Sequence, residues 1–144
     1  MLVSEILRIK GTALYTSPPD APLLEAVKVM AQLDIGSLVV MDHGRMAGLV
    51  TFAEVLRALA EREGTLGDLR IDAITEHNPL TAAPSVDVNE LRRMMLEKHA
   101  RYVPVMDGHT LLGVVSFHDV AKAVLEDQSF ENQMLKSYIQ DSPA

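Results

Sequence analysis

The chain has 144 residues, 48% of them apolar and 23% charged, with no cysteine and a formal net charge of −7. Those proportions fit a folded globular protein. The missing cysteines exclude disulfides, thiol catalysis and cysteine-held zinc, and the negative balance argues against a nucleic-acid binder, which needs cations to displace counterions. No apolar run approaches the roughly 20 residues that span a bilayer. The opening MLVSEILRIK lacks the basic start and long apolar stretch of a signal peptide. A cytoplasmic protein with no membrane attachment is therefore expected.

In chain order, ALYT (13–16) reads as a short β segment and LLEAVKVMAQL (23–33) as an amphipathic helix. SLVVM (37–41) and MAGLVT (46–51) read as strands, and FAEVLRALAERE (52–63) as a helix that Gly64-Thr65-Leu66-Gly67 breaks. PLTA (79–82) is a second short β segment, turned by Pro84-Ser85. In the following VDVNELRRMMLEKH, Val88, Leu91, Met94 and Met95 recur at helical spacing. YVPVM (102–106) is a β run, Asp107-Gly108 a tight-turn signal, and LLGVVS (111–116) a strand apolar enough to be covered on both faces. FHDVAKAVLED (117–127) returns to helical periodicity. The tail SFENQMLKSYIQDSPA continues it, with Phe130, Met134, Leu135, Tyr138 and Ile139 on one side. Such a stripe is expected to seal the domain or to join a second subunit.

This order of elements occurs twice. Residues 36–61 align without a gap on residues 101–126 at an offset of 65, with Val40-Met41-Asp42 on Val105-Met106-Asp107 and Gly48, Val50, Phe52 and Val55 on Gly113, Val115, Phe117 and Val120. Extended upstream, the same offset puts Thr16 on Thr81, Pro19 on Pro84, and Ile6 and Ile9 on Ile71 and Ile74, about fifteen identities in fifty-six positions. The expected fold is α/β (α+β): two β-α-β-β-α repeats, residues 1–65 and 66–128, followed by a helical tail at 129–144. Each repeat is too small to bury much surface by itself. Packing sheet against sheet with pseudo-twofold symmetry would give them one shared core and two equivalent clefts, a favoured setting for small ligands.

Two such units, each with a strand, a turn and a G-h-h-[ST]-x-x-[DE] segment (GLVTFAE and GVVSFHD), resemble a tandem pair of cystathionine-β-synthase (CBS) domains, a Bateman module, from about Val3 to Glu126. The resemblance implies a non-enzymatic regulatory module that binds an adenine nucleotide between the repeats. AMP is the first candidate, with ATP, ADP, NAD and S-adenosylmethionine behind it. It also implies a homodimer and a regulated partner protein. The alternative is a structural or dimerisation module with vestigial clefts.

Carried over residue by residue, the resemblance furnishes one main cleft. Asp119 would accept from the ribose hydroxyls, Ser116 would assist at phosphate or ribose, and Arg101 would face the phosphates. Tyr102 and Val103 would add apolar area, and Tyr15 with the chain near Lys10, Ile35 and Gly36 would wall the adenine. The mirror cleft would use Thr51, Glu54, Ser37, Leu80 and Ala100. There Gly36 stands where the main cleft has Arg101, so the phosphate charge is expected to be missing and the two sites unequal. Both Thr51-x-x-Glu54 and Ser116-x-x-Asp119 also fit a helix capping box, and for Ser116 the two roles are compatible. Ser116, His118 and Asp119 are too close on one helical turn to act as a hydrolase triad. The five histidines show no metal-ligand spacing, so no metal site is expected.

Overall fold

The structure is a computed structural model and describes residues 1–11 and 14–141; the side chains of 128–132 and 137–141 are outside the description. Ala13 of the first β segment and the side chains of Phe130, Tyr138 and Ile139 therefore lie outside the described residues. In order the chain forms α1 (Val3–Lys10), β1 (Thr16–Ser17), α2 (Leu23–Leu33), β2 (Ser37–Asp42), β3 (Arg45–Thr51) and α3 (Phe52–Glu61). A 3-10 turn (Ile71–Ala73), α4 (Val88–Lys98), β4 (Tyr102–Asp107), β5 (Thr110–Ser116) and α5 (Phe117–Asp141) follow. The tail is helical as expected, continuing α5 without a break, and its Met134 and Leu135 are exposed.

The repeat is visible in the backbone. Strands β2 and β3 pair antiparallel with Val40 opposite Gly48, and β4 and β5 pair with Val105 opposite Gly113. Both hairpins shift register one residue later, after Val40 and after Val105. β1 adds a parallel edge to the first hairpin, with Ser17 opposite Val40. In the second half PLTA shrinks to a single parallel bridge, Ala82 to Val105, held by Ala82 N–H to Pro104 O at 3.1 Å and Met106 N–H to Ala82 O at 2.9 Å. Pro79 and Pro84 flank that bridge, and a residue without an N–H cannot extend a ladder.

The interior differs from the single shared core expected. Two clusters form among the described residues, one per hairpin, each closed by its own helices. The first gathers Leu23, Met30, Leu38, Val40, Val50 and Val55; the second gathers Leu91, Met95, Val103, Val105, Val115 and Val120. Strand alternation is the reason. Leu38 and Val40 point to the helices, whereas Val39, fully buried, belongs to neither cluster.

Each core is completed by the segment that precedes the other half. Val3 and Ile6 of α1 lie in the second cluster, and Leu66 and Ile71 lie in the first. Backbone bonds fix the exchange. Val3 N–H donates to Val86 O at 2.9 Å and Ser4 N–H to Pro84 O at 3.0 Å; in the mirror position Ile71 N–H donates to Ala21 O at 2.9 Å and Asp72 N–H to Pro19 O at 3.0 Å. Val86 and Ala21, like Pro84 and Pro19, are 65 apart, but Val3 and Ile71 are 68 apart. The structural equivalent of Ile71 is thus Val3, which corrects the alignment of Ile6 on Ile71. The first copy holds three extra residues between Ser4 and Pro19, one helical turn, and its segment is a full helix where the second copy has only a 3-10 turn.

Close backbone approach seals the exchange. Leu49 and Glu76 trade N–H···O bonds of 2.9 Å in both directions, and a Cβ on Gly48, whose φ is +158°, would collide with Glu76 O. Only glycine fits there. Ile71 is fully buried, so Ile71→Ala should lower unfolding stability by about 2–5 kcal/mol through a lesion outside the first half's own stretch of chain. Urea denaturation followed by circular dichroism checks this; a change under about 0.5 kcal/mol would show that the exchanged segment does not hold the first core.

Candidate functional site

Two clefts open at the seam between the halves. The first, about 590 Å3, lies between the end of α1, the residues before β2 and the start of α5; the second, about 670 Å3, lies between the start of α3 and the residues around α4 and β4. Their walls correspond across the repeat: Ile35 and Ala100, Gly36 and Arg101, and Ser116 and Thr51 occupy equivalent places.

Of the residues assigned to the main cleft, Lys10, Tyr15, Ile35, Gly36, Arg101, Tyr102 and Ser116 all line the first cavity. Val103 does not. It is fully buried among the helices of the second core, because alternation along β4 turns it away from the seam that Tyr102 faces. Of those assigned to the mirror cleft, Thr51, Glu54, Leu80 and Ala100 line the second cavity, whereas Ser37 lines the first. Gly36 explains the difference. A Cβ there would collide with the Tyr102 hydroxyl and the Phe52 ring, so these two side chains fill the space beside Ser37. Arg101 and Tyr102 line both cavities.

Asp119 does not line the first cleft: it lines a neighbouring cavity of about 180 Å3 that shares Lys10 with it, and it is bonded to two of the first cleft's lining residues. Its Oδ2 accepts from Lys10 Nζ at 2.7 Å and from the Ser116 N–H at 2.9 Å, while Ser116 Oγ accepts from the Asp119 N–H at 3.1 Å. This reciprocal pair is a capping box, so the capping reading of Ser116-x-x-Asp119 holds. Oδ1 accepts no bond from the described residues, which leaves a carboxylate oxygen for a ligand. Lys10 Nζ also donates to Val114 O at 2.9 Å. The ammonium therefore ties α1 to β5 and α5, and its position depends on the extra turn of α1. The carboxyl of Asp119 is pushed up by partial burial, but the Lys10 ammonium and the Ser116 amide and hydroxyl outweigh this and hold it below the ordinary carboxylate range.

The second cleft is built differently. Thr51 Oγ1 accepts from the Ala53 N–H at 3.3 Å and donates to the Glu54 carboxylate. The longer Glu54 thus folds onto its own cap rather than onto the strand backbone. The cleft is not short of positive charge, which corrects the expectation drawn from Gly36. Arg57, Lys98 and Arg101 line it together with His99, and among the described residues none of the three cations has an ion-pair partner. Arg57 and Lys98 are not among the residues that the sequence assigns to either cleft. The available signal was spacing: Arg57 falls one turn after Glu54 on α3, on the same face, and Lys98 closes α4 just before the seam. Among the described residues no group of His, Asp and Glu could hold a metal ion, and no helix is long and apolar enough to cross a membrane.

This pairing of twin halves around two seam clefts agrees with the comparisons. The CBS domain family model matches residues 3–61 and again 71–126, so the chain belongs to the CBS domain family as a tandem pair. The CBS domain-containing protein CBSX3, mitochondrial, of Arabidopsis thaliana is 31% identical over 96% of this chain and 71% of its own length. A putative signal-transduction protein with CBS domains from Burkholderia ambifaria superposes with a TM-score of 0.82 at 31% identity, covering 89% of this chain and 96% of that one. The CBS domain pair of protein MJ0100, solved in complex with 5′-methylthioadenosine and S-adenosyl-L-methionine, gives 0.76 at 25% identity, covering 88% and 98%.

Replacing Lys10 by Met should raise the pKa of Asp119, read by NMR titration of its carboxyl carbon. The sign for stability follows from linkage. A carboxylate with a depressed folded pKa stabilises fully above its unfolded value of about 3.9, and this is lost as pH falls through the lower folded value. The stability gap between wild type and Lys10→Met should therefore be widest near neutral pH and close on acidification. A gap independent of pH would mean that the ion pair contributes nothing.

Proposed function

We propose that the protein is a regulatory module that binds an adenosine-type ligand, AMP first among the candidates, at the seam between its CBS repeats. The observation that carries this reading is the first cleft. Ser116, Arg101, Tyr15 and Ile35 line it, and the Asp119 carboxylate, bonded to its Lys10 and Ser116, keeps one oxygen free. In this reading Asp119 accepts from the ribose hydroxyls, Ser116 and Arg101 meet the phosphate, and the adenine lies against Tyr15 and Ile35. The adenosine compounds bound by the MJ0100 pair support the ligand class.

The signal follows from what the ligand competes with. A phosphate draws on Lys10 and a ribose on Asp119, so binding would redirect the link between α1 and α5 onto the ligand. A ligand shifts a conformational equilibrium to the extent that it binds one state better, and this link joins the exchanged segment to the half it completes. The reading includes a homodimer, supported by exposed apolar side chains on the helices, such as Leu24 and Leu33 on α2 and Phe52 and Leu56 on α3, and a partner protein that reads the change.

Calorimetric titration with AMP, ADP, ATP, NAD and S-adenosylmethionine tests the function. At least one should bind below millimolar, and Asp119→Ala should weaken it by about 1–3 kcal/mol, or about 5- to 150-fold. A folded protein that binds none of them contradicts the proposal and leaves a dimerisation module with vestigial clefts.

A further inference from the structure

The two clefts differ in how their positive charge is held, and one residue belongs to both. In the first, Lys10 is already engaged by Asp119 at 2.7 Å and by the Val114 carbonyl at 2.9 Å. The uncommitted cation there is Arg101. In the second, Arg57 and Lys98 add to Arg101, and all three are exposed and without ion-pair partners among the described residues. Arg101 leaves the backbone just before β4, and its carbonyl is pinned by the Phe117 N–H at 2.8 Å. The next residue, Tyr102, fills the gap over Gly36 between the two cavities. The Arg101 side chain thus starts from a fixed point of the backbone and lines both cavities.

Building on the nucleotide-binding reading, we propose that Arg101 couples the two clefts: its single guanidinium serves a phosphate in one cleft at a time, so phosphorylated ligands bind the pair anticooperatively. A guanidinium presents its donors in one rigid plane and cannot fork around anions on opposite sides of a wall. The second cleft, with three free cations, fills first and draws Arg101 toward it. The first cleft then meets its ligand with only the committed Lys10. Coupling of this kind is reciprocal. It acts through charge alone, so a neutral nucleoside escapes it.

Each cleft carries its own reporter, His118 in the first and His99 in the second. Their imidazole NMR signals, assigned with His118→Gln and His99→Gln, separate the two occupancies during titration with AMP and with adenosine. Arg57→Ala/Lys98→Ala changes exposed residues that do not line the first cleft. Coupling predicts that AMP binds the second cleft more weakly in this variant and the first cleft more tightly, by about fivefold or more. Adenosine affinity at the first cleft stays constant, and the gain for AMP disappears when Arg101→Gln is added. An AMP affinity at His118 that is unchanged or lower in the double variant overturns the coupling and leaves nucleotide binding intact, as does an equal gain for adenosine. If neither compound moves either signal, the nucleotide reading itself fails along with the coupling.

Discussion

The structure depends on an exchange. Each hairpin is covered by its own flanking helices, but its core is completed by the segment that precedes the other half. Val3 and Ile6 enter the second core and Leu66 and Ile71 the first, and the bonds from Val3 to Val86 and from Ile71 to Ala21 repeat the same stitch. Burying such side chains is worth about 1.5–3 kcal/mol each. The halves are therefore joined by their interiors as well as by the reciprocal backbone pair of Leu49 and Glu76. The clefts are a by-product of this joining, formed where the exchanged segments run past the hairpin ends.

The exchange is not symmetric, and its asymmetry sets the chemistry. Three extra residues after the equivalent of Ile74 let α1 run one turn further than its counterpart, which carries Lys10 to Asp119. The second copy has only a short 3-10 turn in that place, and the second cleft acquires its cations instead from α3, the end of α4 and the partition. One repeat thus yields two sites of different character. In the first an ion pair holds charge in reserve, and in the second the charge is free.

Much of the architecture was legible because it was written twice. The 65-residue offset survives wherever hydrogen bonding demands it: the paired strands, their register shifts and the helix caps at Thr51 and Ser116. It broke upstream, where α1 has a different length from its counterpart; Ile6 and Ile71 match as letters but not as places. PLTA could not become a full strand between two prolines. Within the candidate site, residues at element ends were legible, since a motif fixes them locally. Val103 was misplaced because pleat parity, not proximity to Arg101, decides which way it points. Arg57 and Lys98 were missed because only the folding of α3 toward α4 brings them together. Lys10 was expected as backbone; its ammonium matters because of a turn of helix that alignment at a single offset conceals.

Hydrogen exchange with mass spectrometry, in the presence and absence of saturating AMP, tests most directly whether the seam is where ligand and fold meet. The account predicts slower exchange in three stretches remote in sequence but joined at the first cleft: the end of α1, residues 34–37 before and into β2, and residues 114–119 from the end of β5 into α5. No change, or protection confined to the tail of α5, would contradict it.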